Sequence, residues 1–285
     1  MISKTVGFIG LGRMGRHMAM NVNKSFETYV WNRTHRRAVE HSQTYDTKLA
    51  FDVKEVALNT DVIILCLPTY KEVFDIVNDM TECLKQNHVI IDCSSSDPFK
   101  QIKLYAKLQK HGVSLLDAPV SGGPSKANLG TLSSMVGGDY DVYLSNKGIL
   151  ESFSKPIYVG KCGNGCAIKC INNLLNMTNL CVASEGLKAL SDFGIEPNTA
   201  LDVINASSGR SLMTTERIPV HVLERGCDYG FSMKLMQKDI DTASKLISLP
   251  MFAPTVQNLM KNCMHHQGED ADYTSIYREF FRARS

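Results

Sequence analysis

The first 120 or so residues alternate short, uninterrupted apolar runs with longer stretches in which apolar side chains recur every three or four positions. Thr5–Ile9 is the first run, followed by glycines and a helical pattern over Gly15–Lys24. Thr28–Trp31 is the second and ends at Asn32-Arg33-Thr34. Asp61–Leu67 is the third, stopped by Pro68. His88–Asp92 and Ser114–Leu116 follow, with helical patterns between them at Val73–Leu84 and Phe99–His111. Runs that are apolar at every position predict strands covered on both faces, and intervening helices supply the cover. The expectation is a doubly wound α/β domain on a mostly parallel sheet.

Near Gly160 the texture changes. Apolar residues recur at helical spacing from Gly165 to Phe193 (Ile168, Ile171, Leu175, Leu187, Leu190), and Gly194 supplies a stop. Pro197 suits the first turn of a helix over Asn198–Ala206. Phe231–Leu246 and Ala253–His265 are further helical patterns, and no strand pattern accompanies them. The predicted organisation is a nucleotide-binding α/β domain over residues 1–163 and an all-α domain over 164–285. A long helix joins them.

At 285 residues the chain is long enough for two such domains. Its 31 basic and 29 acidic side chains give a net charge of +2, without the surplus that nucleic-acid binding needs. No apolar run approaches the ~20 residues that span a bilayer, so no membrane partner is expected. Met1-Ile2-Ser3-Lys4 leads straight into the first strand, so no targeting segment of secretory signal type is expected. Nine cysteines, an odd number, then read as reduced thiols in the cytoplasm.

Gly10-Leu11-Gly12-Arg13-Met14-Gly15 closes the first strand and opens the first helix. In that context the first glycine permits a tight turn, the second lets backbone approach a pyrophosphate, and the third lets helix and strand pack closely. The helix N-terminus offers free N–H groups and the positive end of its dipole. After the second strand an NAD site places an acid against the ribose 2′-hydroxyl. Here Asn32, Arg33 and Thr34 stand instead, all able to donate to a 2′-phosphate, which favours NADP with NAD as the alternative. Arg36 and Arg37 nearby fit either that role or a solvated helix face.

Two further stretches carry candidate chemistry. Asp117-Ala118-Pro119-Val120-Ser121-Gly122-Gly123 closes a strand, and Ser121 with the next two amides forms either a carboxylate nest or a plain turn. In Gly163-Asn164-Gly165-Cys166-Ala167-Ile168-Lys169-Cys170-Ile171-Asn172-Asn173, Lys169 and Asn173 share a helix face, where a cation and an amide can hold an oxygen. Cys162, Cys166 and Cys170 at four-residue spacing read as packing, since no second ligand cluster of zinc type accompanies them, and no metal is expected.

Together these motifs, with Gly130-Thr131-Leu132, Met135-Val136-Gly137-Gly138 and Lys238-Asp239, resemble the β-hydroxyacid dehydrogenases over nearly the whole length. That family includes relatives of 3-hydroxyisobutyrate dehydrogenase and 6-phosphogluconate dehydrogenase. The resemblance implies a Rossmann domain followed by a helical domain that supplies contacts in a homodimer or homotetramer. It implies Lys169 as general acid/base with Asn173 orienting the substrate, and Ser121, Gly122, Gly123 and Asn172 at a carboxylate-bearing substrate. Leu67, Pro68 and Ser95 match positions that line the cofactor, and Lys238 one near the nicotinamide. Asn32-Arg33-Thr34 resembles the NADPH-dependent glyoxylate and succinic semialdehyde reductases, whereas Ser207-Ser208-Gly209-Arg210-Ser211 resembles the hydroxyisobutyrate branch. The substrate stays open between them. A lysine with its usual pKa near 10.4 is a poor base at neutral pH, and burial beside a cation such as Lys238 would lower it. The competing reading is a dehydrogenase-like oligomerisation or partner-binding module without catalysis. Lys169 and its Asn173 partner argue against it, and imine-reducing relatives typically lack the lysine.

Overall fold

The computed structural model describes residues 4–282, so the Met1–Ser3 part of the targeting-segment reading lies outside the described residues. Residue contacts divide the chain into two units, one running through Lys169 and one starting at Cys170.

The first unit follows the α/β alternation. It contains β1 (Val6–Ile9), α1 (Gly15–Asn23), β2 (Thr28–Trp31), α2 (His35–Tyr45), β3 (Lys48–Leu49), α3 (Val53–Asn59), β4 (Val62–Leu65) and α4 (Tyr70–Met80). Then come β5 (Val89–Asp92), α5 (Pro98–Gln109), β6 (Ser114–Asp117), β7 (Val120–Ser121), α6 (Gly123–Asn128), β8 (Leu132–Gly137), α7 (Tyr140–Glu151) and β9 (Ser154–Gly160). The strands form one sheet in the order β3-β2-β1-β4-β5-β6-β8-β7, with β9 on β8. The first six places have the order of a dinucleotide-binding sheet, whose ligand crevice opens where the order reverses, at the carboxyl ends of β1 and β4.

Period-two alternation divides the core into two layers. Val6, Phe8, Val62, Ile64, Ile91 and Leu116 pack on one face of the sheet. Ile9, Ile63, Leu65, Ile90 and Leu115 pack on the other. Each fully buried side chain of this size stabilises by roughly 1.5–3 kcal/mol.

The structure adds α2, β3, α3, α6 and α7 to the elements named from the sequence, and departs from the pattern at α4 and at β7–β9. Helix α4 starts at Tyr70, ahead of its apolar period, because the Thr69 hydroxyl accepts the Lys71 N–H at 3.1 Å. The strands β7–β9 were not legible as a group. β8 alternates Leu132, Ser134 and Val136 inward with exposed positions between, and runs antiparallel to β6 and β7 but parallel to β9. A long antiparallel-neighboured strand with polar Ser133 and Ser134 lacks the continuous apolar signal of the others.

Helix α8 (Asn164–Asp192) spans the division and ends at Gly194, whose φ of +93° suits a left-handed stop. The second unit continues with α9 (Pro197–Asn205), a π-helical stretch Met213–Glu224, α10 (Met233–Leu246), α11 (Ala253–Gln267) and α12 (Ile276–Phe281). Among the described residues its one β-type feature is an isolated bridge, Ser232 to Asp272. Pro219 lies inside the π-helical stretch, where it has no N–H to donate. The core gathers Met177, Leu180, Ile240, Met260 and Tyr273. Arg217, buried, lies 3.6 Å over the Tyr229 ring. Asp272 ties the segment before α10 by accepting the N–H groups of Tyr229, Gly230 and Phe231.

Candidate active site

The glycine loop after β1 has three glycines in three different situations. Gly10 has φ +104°, and a Cβ there would meet the Cys66 carbonyl at 2.3 Å. A Cβ on Gly15 would lie 1.9 Å from the Gly10 carbonyl, so α1 packs onto the strand end only without one. A Cβ on Gly12 would meet nothing within 4 Å. The middle glycine therefore faces open space, as a backbone that receives a pyrophosphate must. The start of α1 carries no acidic residue in its first turn and no side-chain cap, leaving its positive end to an anion. On these grounds the loop fits a dinucleotide.

The residues after β2 divide their work. Asn32 Oδ1 accepts the Leu11 N–H at 2.9 Å and Nδ2 donates to the Thr34 carbonyl at 3.0 Å. Asn32 thus braces the glycine loop. Arg33 and Thr34 are exposed beside it, as is Arg13. Arg36 is paired with Glu40 on the solvated face of α2.

Behind the β4 and β5 ends lies a buried acid. Asp92 accepts the Ser94 N–H at 2.9 Å and Gln101 Nε2 at 3.0 Å, and Ser94 Oγ accepts the Leu67 N–H at 2.9 Å. This chain of bonds fixes the turns carrying Leu67, Pro68 and Ser95. Burial pushes the Asp92 carboxyl up to about 6 against the pull of its hydrogen bonds.

Asp117, next to Asp92 in the β5–β6 register, ends β6. Its carboxylate accepts the Gly163 N–H at 2.8 Å and the Cys166 N–H at 2.9 Å, at the head of α8. Burial raises its carboxyl and those two N–H groups draw it back. The main chain leaving Asp117 forms β7, where Ser121 pairs with Ser133. Gly122 and Gly123 then take φ values of +138° and +74° before α6. Lys169 lies three residues beyond Cys166 on α8 and is half-buried.

In the second unit Asn173 is buried and donates from Nδ2 to Asp239 Oδ2 at 2.6 Å. The Lys238 ammonium lies 3.2 Å from Asp239 Oδ1. Lys238 therefore presents a paired charge. Asn172, adjacent and less buried, donates to Asn173 Oδ1 at 3.4 Å. Phe231 packs edge-on against Tyr273, and Met233 and Met236 are core. Cys162, Cys166 and Cys170 are buried, all nine thiols are free, and the described residues hold no three-ligand metal cluster.

The family profile described as the NAD-binding domain of 6-phosphogluconate dehydrogenase matches residues 5–168. A second, described as the NAD-binding domain of NADP-dependent 3-hydroxyisobutyrate dehydrogenase, matches residues 163–280. The mitochondrial 3-hydroxyisobutyrate dehydrogenase of Mus musculus is 33% identical over 98% of this chain and 88% of its own. The chain belongs to the β-hydroxyacid dehydrogenase family. The 2-(hydroxymethyl)glutarate dehydrogenase of Eubacterium barkeri is 32% identical over 88% of this chain and 87% of its own. The solved structure of Psf3 with NADP+ and 2-OPP is 26% identical, covers 96% of this chain and 99% of that one, and superposes with a TM-score of 0.87. A member of this family is an NAD(P)-dependent oxidoreductase acting on CH–OH donors. No helix among the described residues is long and apolar enough to cross a membrane.

Sequence reasoning named Lys169, Asn173 and Lys238 but gave no role to Asp92, Asp117 or Asp239. Asp92 and Asp117 each end an apolar run, and that local mismatch is the signal available in the sequence, whereas Asp239 stands among polar residues and gives none. Besides near neighbours such as Ser94 and Lys238, they hold partners 9 to 66 residues away, which only folding reveals.

Proposed function

We propose that the chain moves a hydride reversibly between NADP(H) and a short β-hydroxy acid or its aldehyde-acid partner, of 3-hydroxyisobutyrate, glyoxylate or semialdehyde type. The observation that carries this reading is the placing of Lys169 and Asn173 one turn apart on α8, with the Asn173 amide held by Asp239. When bound, the nicotinamide supplies the hydride to the substrate carbon or accepts it. Lys169 gives a proton to the carbonyl oxygen as it becomes a hydroxyl, and takes it back in the oxidative direction. Asn173, its donor nitrogen engaged by Asp239, turns its remaining polar capacity to the substrate beside Asn172. The Ser121 hydroxyl and the Gly122 and Gly123 amides hold the carboxylate.

Gly10, Leu11, Gly12, Arg13, Met14 and Gly15 cradle the pyrophosphate, while Leu67, Pro68, Ser95 and Lys238 line the rest of the cofactor. Arg33 and Thr34 favour NADP, supported by the absence of an acid at the end of β2 and by the NADP named for the second matching family and for the Psf3 structure. Leu175 and Val182, exposed seven residues apart on α8, support a homodimer or homotetramer. Nine free thiols support a reducing, cytoplasmic setting.

The test follows NADPH and NADH oxidation with glyoxylate, succinic semialdehyde, methylmalonate semialdehyde and tartronate semialdehyde, in the wild type and in Lys169→Ala. Lys169→Ala should lose turnover by orders of magnitude and bind NADPH nearly as before. Near-normal turnover would sink the role given to the lysine, and preference for NADH the role given to Arg33.

A further inference from the structure

Resting on the reading of Lys169 as the proton carrier, we propose that Asp117 is a positioning residue that sets where α8 presents that lysine. Its side chain is fully buried at the end of β6 and reaches 46 and 49 residues along the chain, to Gly163 and Cys166. Cys166 is the third residue of α8 and Lys169 the sixth. A helix turns about 100° per residue and is stiff over so short a distance, so fixing its first turn fixes the direction of Lys169.

The fold sets space aside for this carboxylate. Gly137 stands opposite Asp117 in the β6–β8 pairing, and a Cβ there would lie 2.5 Å from Asp117 Oδ1. A Cβ on Gly165 would lie 2.3 Å from the Met135 carbonyl and 2.9 Å from Asp117 Oδ2. Both glycines are needed for the acid to sit between sheet and helix.

Helix capping alone does not require such an arrangement. A Ser, Thr or Asn at the helix start caps well at little desolvation cost, whereas a buried carboxylate carries a large one that its bonds must offset. Asn164, which stands at that start, spends its amide on the Val159 carbonyl instead. What the buried acid adds is attachment of the helix to the sheet. The main chain of the same residue leads in four steps to Ser121, held on the way by Ala118 N–H to the Asp92 carbonyl at 2.7 Å and Met135 N–H to the Pro119 carbonyl at 3.1 Å. Asp117 thereby joins the carboxylate-holding turn through its backbone to the proton carrier's helix through its side chain. Reaction rate depends steeply on that mutual placement, and a shift of about 1 Å costs on the order of 10²-fold.

The test uses the full chain with Asp117→Asn, Asp117→Ala, Gly137→Ala and Lys169→Ala. Asp117→Asn keeps the volume, but its amide nitrogen faces one of the two N–H groups and cannot accept from it. Gly137→Ala keeps the carboxylate but crowds both it and the Lys161 carbonyl, which a Cβ there would meet at 2.7 Å. NADPH affinity is read from the fluorescence of Trp31, the single tryptophan. Turnover is read with whichever acid of the panel above the wild type reduces fastest. Asp117→Asn should lower kcat by roughly 10–100-fold, with KM within about threefold and NADPH affinity within about twofold. Asp117→Ala should lower it further, and the basic limb of the kcat–pH profile should move in both. Gly137→Ala should reproduce the pattern, and decides alone if the Asp117 variants do not fold. Wild-type kcat in a folded Asp117→Asn overturns the inference. So does a loss of kcat matched by an equal loss of NADPH affinity, which marks general damage. Lys169→Ala without activity beside a normal Asp117→Asn overturns this inference alone, whereas an active Lys169→Ala removes the reading beneath it as well.

Discussion

Asn173 and Asp239, 66 residues apart, meet in a buried hydrogen bond of 2.6 Å from the amide nitrogen to the carboxylate. The other oxygen of that carboxylate faces Lys238 at 3.2 Å. One acid thus orients an amide and neutralises a cation, so the polarity that Asn173 presents is decided on α10. In Asp239→Asn only one oxygen remains for two partners. A hydrogen bond to a charged group is worth about 1.5–3 kcal/mol, so kcat/KM for the acid substrate should fall roughly 10–100-fold. NADPH titration of the same variant should give a dissociation constant within a fewfold of wild type, and unchanged kcat/KM would show that Asn173 needs no such brace.

The proposed preference for NADP should be open to reversal at Asn32. Asn32→Asp keeps an oxygen for the Leu11 N–H and places a carboxylate at the end of β2, where an acid holds the ribose 2′-hydroxyl and repels a 2′-phosphate. Combined with Arg33→Ala it should shift the ratio of kcat/KM for NADPH over NADH by at least about tenfold toward NADH, or about 1.4 kcal/mol. Steady-state kinetics with both cofactors measures the ratio, and no change would place the selectivity elsewhere.

The three glycines of the loop should fail differently. Gly15→Ala forces a methyl to 1.9 Å from the Gly10 carbonyl and should lower the unfolding free energy by about 1–3 kcal/mol or more. Gly12→Ala meets no protein atom within 4 Å and should melt like wild type, yet bind NADPH at least about tenfold more weakly. Thermal unfolding and cofactor titration separate the two. Equal NADPH affinity in Gly12→Ala would mean that the cofactor does not approach that backbone.

Asp92 should make stability depend on pH in an unusual direction. Its carboxyl is raised to about 6 by burial, against about 3.9 in an unfolded chain. A raised carboxyl favours the folded state fully below the unfolded value, and that contribution is lost as pH rises through about 6. Asp92→Asn removes the titration, still accepts the Ser94 N–H, and can give its amide to Gln101 Oε1, which is buried without a partner, if that side chain flips. The variant should gain on wild type by up to about 3 kcal/mol between pH 4 and pH 6, and stay level above that. Denaturant unfolding at pH 4.5 and 7.5 measures the difference, and an equal gap at both would contradict it.

Much of this was present in the linear pattern. The apolar runs place β1, β2, β4, β5 and β6 to within two residues, because a strand buried on both faces must be apolar throughout. Gly194 and Pro197 mark the end of α8 and the start of α9, since backbone limits act locally. β7, β8 and β9 escaped, because an alternating strand with serines on it resembles a loop until its neighbours are known. Asn32 is read from sequence as a donor to the cofactor, and the fold adds a brace that no local pattern shows, from Leu11 N–H to its Oδ1 and from its Nδ2 to the Thr34 carbonyl.

By itself the sequence determined the two kinds of architecture and the glycine loop, and it named the residues proposed to carry a proton and hold a carboxylate. These follow from side-chain chemistry, local backbone freedom and periodicity, all of which act over a few residues. Only the tertiary structure decided what Asp92, Asp117 and Asp239 do. A buried carboxylate is tolerated where donors converge on it, and the Gln101, Gly163, Cys166 and Asn173 donors are brought to these three by strand register and helix packing.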